Sequence, residues 1–122
     1  MENNKTYKVI TIAGSDPSGG AGIQADIKTI TALGGYAASA ITALTIQNTL
    51  GVKGIFPIPD TIVSEQINAI MEDIEPQTIK IGMVKDINIV RCIAKSIQKY
   101  KPQFVVYDPV MISTSGHKLI DD

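Results

Sequence analysis

The sequence predicts an α/β fold in three layers, with a mostly parallel sheet covered by helices on both faces. Three observations carry that prediction. Short β-branched runs alternate along the chain with stretches whose apolar residues recur at helical spacing. The last extended run, Phe104-Val105-Val106-Tyr107, is apolar without interruption, as expected of a strand buried on both sides. The strand-like runs lead into Gly14, Gln47, Gly82 and Asp108, where the ligand crevice of such a sheet lies.

Residues 7–13 (YKVITIA) are β-branched and close on Gly14, so they read as a buried strand feeding the turn Asp16-Pro17-Ser18-Gly19-Gly20. From Ala21 the residues Ile23, Ile27, Ile30 and Leu33 recur at helical spacing, and Gly34-Gly35 stands where a left-handed C-cap ends a helix. Residues 36–46 and 51–58 form two further extended segments joined through Asn48-Thr49-Leu50. Pro59-Asp60 opens a second helix, with Asp60 as N-cap and Val63, Ile67, Ile70 and Ile74 as its inward stripe, ending before Pro76. Residues 78–82 (TIKIG) are a short strand. Asp86 caps a third helix with the stripe Val90, Ile93, Ile97 and Tyr100, whose negative end carries Lys95, Lys99 and Lys101 before Pro102 stops it.

Composition excludes several classes of function. With 122 residues and 44% hydrophobic content, the chain suffices for one compact unit with its own core. Its 11 basic and 12 acidic residues leave a net charge of −1, and the longest like-charge stretch is a pair, so there is no footprint for nucleic acid or an anionic membrane. No apolar run reaches the ~18 residues of a membrane span, and the polar start MENNKTYK lacks the apolar stretch of a signal peptide, which predicts a cytoplasmic protein. Cys92 is the single cysteine; it excludes an internal disulfide and reads as a small core residue.

Three places carry candidate chemistry. The loop GSDPSGGAGIQAD, residues 14–26, contains GxGxxA, but the match begins at Gly20, well after the strand ends, and no acidic residue follows at ~20 residues to take a ribose. It is not a phosphate-binding P-loop either, because no Lys-Ser/Thr pair follows GxxxxG. Its glycines permit close backbone approach to a ligand, and Asp26, beside the apolar stripe, faces either solvent or the crevice. Asp108 ends the most apolar strand, where a carboxylate either serves a metal ion or phosphate-bound cation or caps the next turn. Ser113-Thr114-Ser115-Gly116-His117 has the composition of a lid, with His117 an exposed loop residue. Met83, in KIGM, either packs on a flat heterocycle or fills core space.

Together, TIAGSDPSGGAGIQADIKTITALGGYAASAITALTIQNT, KIGM and DPVMISTSG resemble the hydroxymethylpyrimidine and phosphomethylpyrimidine kinases of the ribokinase-like superfamily, and the resemblance runs from Thr11 to Asp122. It implies an ATP- and Mg2+-dependent enzyme of thiamine biosynthesis, homodimeric, that phosphorylates the hydroxymethyl group of a pyrimidine and then the phosphate just installed. It also implies that Gly14, Asp26, Gln47, Met83 and Val110 hold the pyrimidine and that Asp108 lies near the metal and triphosphate. The family's Gly-Thr-Gly anion hole, the Asp or Cys that activates the hydroxyl and most of the nucleotide pocket are expected beyond Asp122, so residues 1–122 correspond to the amino-terminal, substrate-binding portion, with no catalytic residue of their own. That portion alone is expected to be inactive.

Two alternatives accompany that reading. Pyridoxal kinases continue from DPV into a Gly-Asp pair, whereas Ile112 and Ser113 stand here, which favours the pyrimidine. The other is a non-catalytic fragment that binds the pyrimidine or self-associates through an exposed sheet edge.

Overall fold

Eight elements follow one another in the computed structural model, which describes residues 5–109. They are β1 (Lys8–Ser15), α1 (Gly22–Ala32), β2 (Tyr36–Asn48), β3 (Gly51–Pro57), α2 (Asp60–Asp73), β4 (Thr78–Ile81), α3 (Ile87–Tyr100) and β5 (Phe104–Tyr107). Val110 and the lid-like run 113–117 lie outside the described residues. The strands form one sheet in the order β3-β2-β1-β4-β5. All neighbours are parallel except β2 and β3, which are antiparallel. The two residues Thr49 and Leu50 between β2 and β3 suffice for a hairpin, not for the crossover that a parallel pair needs.

The period-two alternation of β1 divides the molecule into its layers. Ile10 and Ile12 point to one face, where they join Ile79 and Ile81 of β4, Val63, Ile67 and Met71 of α2, and Ile89 and Ile93 of α3 in the main core. Thr11 and Lys80 point to the other face, where both reach Asp26 of α1. The sheet therefore has α2 and α3 on one side and α1 on the other, the three-layer arrangement predicted.

Several boundaries and faces differ from the prediction. Asp60 is not the N-cap of α2: Pro59 holds that position with no side-chain cap, and Asp60 is the first helical residue, where its charge still suits the positive helix end. The buried face of α2 is Val63, Ile67 and Met71, with Ile70 and Ile74 half-buried. In α3 the buried face is Ile89, Ile93 and Ser96, and Val90 is 44% exposed. Ser96 tolerates the interior because its hydroxyl donates to the Cys92 carbonyl at 3.0 Å. Cys92 itself is half-buried, its thiol 3.6 Å from the Asp60 carbonyl. Leu33 does not belong to the inward stripe of α1, being 83% exposed. Gly34 takes the left-handed conformation at φ 88° as the helix ends, and Asp86 caps α3 by accepting from the Asn88 N–H, both as predicted.

The apolar run of β5 is not buried on both sides: its four side chains are 43–56% exposed. β5 pairs with β4 alone among the described strands, and no described helix packs extensively over its faces, which is what leaves the side chains open. The other partly open edge is handled by a side chain. The early half of β2 has β1 beside it but no β3, and there the Gln66 amide accepts from the Ile41 N–H at 2.9 Å and donates to its carbonyl at 3.0 Å.

Candidate substrate-binding site

The turn after β1 is organised by Asp16, which is buried. One carboxylate oxygen accepts from the Ser18 N–H at 2.8 Å and the Ser18 hydroxyl at 2.6 Å, and the other accepts from the Gly20 N–H at 3.0 Å. Burial alone would raise its pKa, but hydrogen bonds from the Ser18 hydroxyl and the backbone N–H groups of Ser18, Gly20 and Ala21 outweigh it, and the net shift is downward. Gln24 ties the turn to the helix: its amide accepts from the Asp16 N–H and donates to the Ser15 hydroxyl, each at 2.7 Å. Gly22 starts α1 at φ 58°, and a Cβ there would overlap the Gly14 carbonyl. Glycine is thus required twice over, by conformation and by the close approach of the two backbones.

This turn forms one wall of a cavity of about 260 Å³ at the carboxyl end of the sheet. Gly14, Asp26, Gln47, Met83 and Asp108, predicted from separate segments, all line it; Val110 lies outside the described residues. Gly14 and Gln47 are not loop residues, as predicted, but sit inside β1 and β2, each at an irregularity in strand register. Such irregularities re-aim side chains, which is how Gln47 comes to face the cavity from within a strand. Its amide donates to the Thr45 hydroxyl at 2.8 Å, which donates in turn to the Ser15 carbonyl at 2.8 Å. Met83 lies over Gly14, so that a Cβ on Gly14 would overlap the methionine methyl. The Met83 carbonyl is anchored by the buried Thr42 hydroxyl at 2.7 Å. Asp108 is exposed just beyond β5, its N–H donating to the Ile81 carbonyl at 2.9 Å, and takes part in no ion pair among the described residues.

Asp26 faces the cavity rather than solvent. Its Oδ2 accepts from the Thr11 hydroxyl at 2.5 Å and from the Lys80 ammonium at 2.8 Å. Lys80 and Asp16 were not singled out as site residues by sequence reasoning, although a signal existed for the first. A lysine inside the apolar strand TIKI is costly to bury unless a carboxylate meets it. For Asp16 no comparable signal existed, because Asp-Pro-Ser-Gly is a common turn composition.

The chain's residues 16–122 match the family described as phosphomethylpyrimidine kinase. This chain belongs to the phosphomethylpyrimidine kinase family. Among relatives, it is 47% identical over 116 residues to the hydroxymethylpyrimidine/phosphomethylpyrimidine kinase of Escherichia coli (strain K12), covering 95% of this chain and 44% of the relative. The solved phosphomethylpyrimidine kinase of Clostridium difficile 630 is 50% identical with a TM-score of 0.87, covering 95% of this chain and 50% of that one. The pyridoxal kinase of Staphylococcus aureus, solved with AMP-PCP and pyridoxal, is more distant, at 36% identity and a TM-score of 0.80 over 88% of this chain and 40% of that one. The chain therefore spans about half the length of these phosphomethylpyrimidine kinases. Its sheet is a five-stranded part of the ribokinase-like fold that they share.

Among the described residues no helix is long and apolar enough to cross a membrane, and no group of three or more His, Cys, Asp or Glu side chains is placed to hold a metal ion.

Proposed function

We propose that this chain forms the pyrimidine-binding part of an ATP-dependent kinase that phosphorylates 4-amino-5-hydroxymethyl-2-methylpyrimidine and then its monophosphate in thiamine biosynthesis. The observation that carries the reading is the convergence of Gly14, Asp26, Gln47 and Met83 on one small cavity. A carboxylate and a side-chain amide suit the amine and ring nitrogens of an aminopyrimidine, and the methionine suits the flat face of its ring. Glycine at position 14 leaves the methionine room to lie over the backbone.

Phosphoryl transfer asks a protein mainly for positioning and charge stabilisation. The share of this chain is positioning: the cavity fixes the ring, and the ring fixes the direction of its hydroxymethyl group. ATP as co-substrate is supported by the AMP-PCP complex of the pyridoxal kinase relative. An exposed Asp108 at the cavity, in no ion pair among the described residues, suits Mg2+, which keeps most of its waters and takes one or two carboxylates together with phosphate oxygens. Bound there, the ion would neutralise phosphate charge, with Asp108 as the residue of this chain that holds it. The enzyme is further read as cytoplasmic and homodimeric, on the family resemblance.

Calorimetry on the protein tests the reading. Saturable binding of the pyrimidine is expected, and in the kinase extended to the length of its relatives Asp26→Asn should weaken it by roughly tenfold or more while ATP affinity changes less than twofold, since a hydrogen bond to a charged group is worth about 1.5–3 kcal/mol. Equal losses for both ligands, or none, would sink it. Pyridoxal is the second reading, favoured by the structural likeness to pyridoxal kinases. Pyridoxal binding as tight as that of the pyrimidine would establish it.

A further inference from the structure

We propose that Lys80 is a positioning residue that fixes the plane of the Asp26 carboxylate, and so the direction of the oxygen left free for the ligand, and thereby makes the site selective for a neutral heterocycle bearing an amine. The inference rests on the pyrimidine-binding reading above and deepens it.

A free Asp side chain rotates broadly about its terminal torsion and presents either oxygen. Here two donors from two different strands, the Thr11 hydroxyl of β1 and the Lys80 ammonium of β4, close on the same oxygen, Oδ2. Among the described residues no donor reaches Oδ1. Thr11 is fully buried, and the Lys80 and Asp26 side chains are only 21% and 20% exposed, so the clamp lies in the rigid floor of the cavity and not on its rim. Two bonds to one oxygen fix the carboxylate plane and leave Oδ1 as the acceptor. The pair also cancels its own charge, so the floor offers an acceptor without a net negative charge that would favour a cation. A ligand N–H from a neutral exocyclic amine is the complement to such an acceptor.

Affinities for 4-amino-5-hydroxymethyl-2-methylpyrimidine and for the analogue lacking the amine test this directly. The intact protein should prefer the amine by roughly ten- to a hundredfold, the range of one hydrogen bond to a charged group. Lys80→Met should cut that preference at least about fivefold while barely changing affinity for the amine-free analogue, and Lys80→Arg should restore most of it. A residue serving stability alone would lower both affinities together or neither. Should Lys80→Met fail to fold, Thr11→Val, which removes the other donor to Oδ2, should lower the preference in the same direction. If Lys80→Met, or Thr11→Val in its place, keeps the full preference while Asp26→Asn abolishes it, the positioning role falls and the pyrimidine site stands. If Asp26→Asn also keeps it, the pyrimidine reading falls as well.

Discussion

Asp16 shows how one buried carboxylate can hold a loop in place. Its lowered pKa means that below the ordinary value of 3.8 the unfolded chain binds more protons at this position than the folded one. The stability it supplies is therefore complete above pH 3.8 and is lost as pH falls through its lowered pKa. Asp16→Asn should cost about 1–3 kcal/mol near neutral pH, because it leaves one of the N–H groups without its acceptor. Thermal unfolding of both proteins at descending pH should show the gap narrowing below 3.8, where the native carboxylate becomes protonated too. A gap that stays constant would mean the destabilisation is not electrostatic. This residue was legible in the sequence only as part of a turn. What makes it important, the donors of one turn folding back onto one side chain, is a property of loop geometry that composition does not contain.

Among the elements, β2 is the most demanding, since its first half has β1 on one side and no described strand on the other. Gln66 supplies there what a neighbouring strand would, satisfying both backbone groups of Ile41. An unpaired strand edge is both an energetic loss and an invitation to pair with another chain. Gln66→Leu, similar in size but without donor or acceptor, is expected to cost about 1–3 kcal/mol, read as a lower urea midpoint at unchanged slope. The helix was read from Val63, Ile67, Ile70 and Ile74, and Gln66 drew no notice because a polar residue off the apolar stripe is expected to meet water. In α3 the predicted Ile93, Ile97 and Tyr100 do meet the core, whereas Val90 gives way to Ile89, and Ser96 is buried through a bond to its own helix that an apolar pattern does not show.

For the molecule as a whole, the strand order makes β1 the centre, hydrogen-bonded to β2 on one side and β4 on the other, with helices over both faces. Its amides, Ile10 and Ile12 above all, should be the slowest to exchange with solvent, while those of β3 and β5 exchange first; residue-resolved hydrogen exchange will show this ordering or refute it. Readable from the residues alone were the alternation of strands and helices, the strand ends at which the cavity lies, and, through the motifs, the residues Gly14, Asp26, Gln47, Met83 and Asp108 that share it. Those properties are local: hydrophobic period, turn chemistry and motif identity are written in neighbouring residues. The packed fold was needed to show that Lys80 and Thr11 meet Asp26, that β3 turns back antiparallel, and that β5 lies beside β4 at the end of the described sheet. Each depends on which strand lies beside which, and that order is set by the packing of all the elements at once.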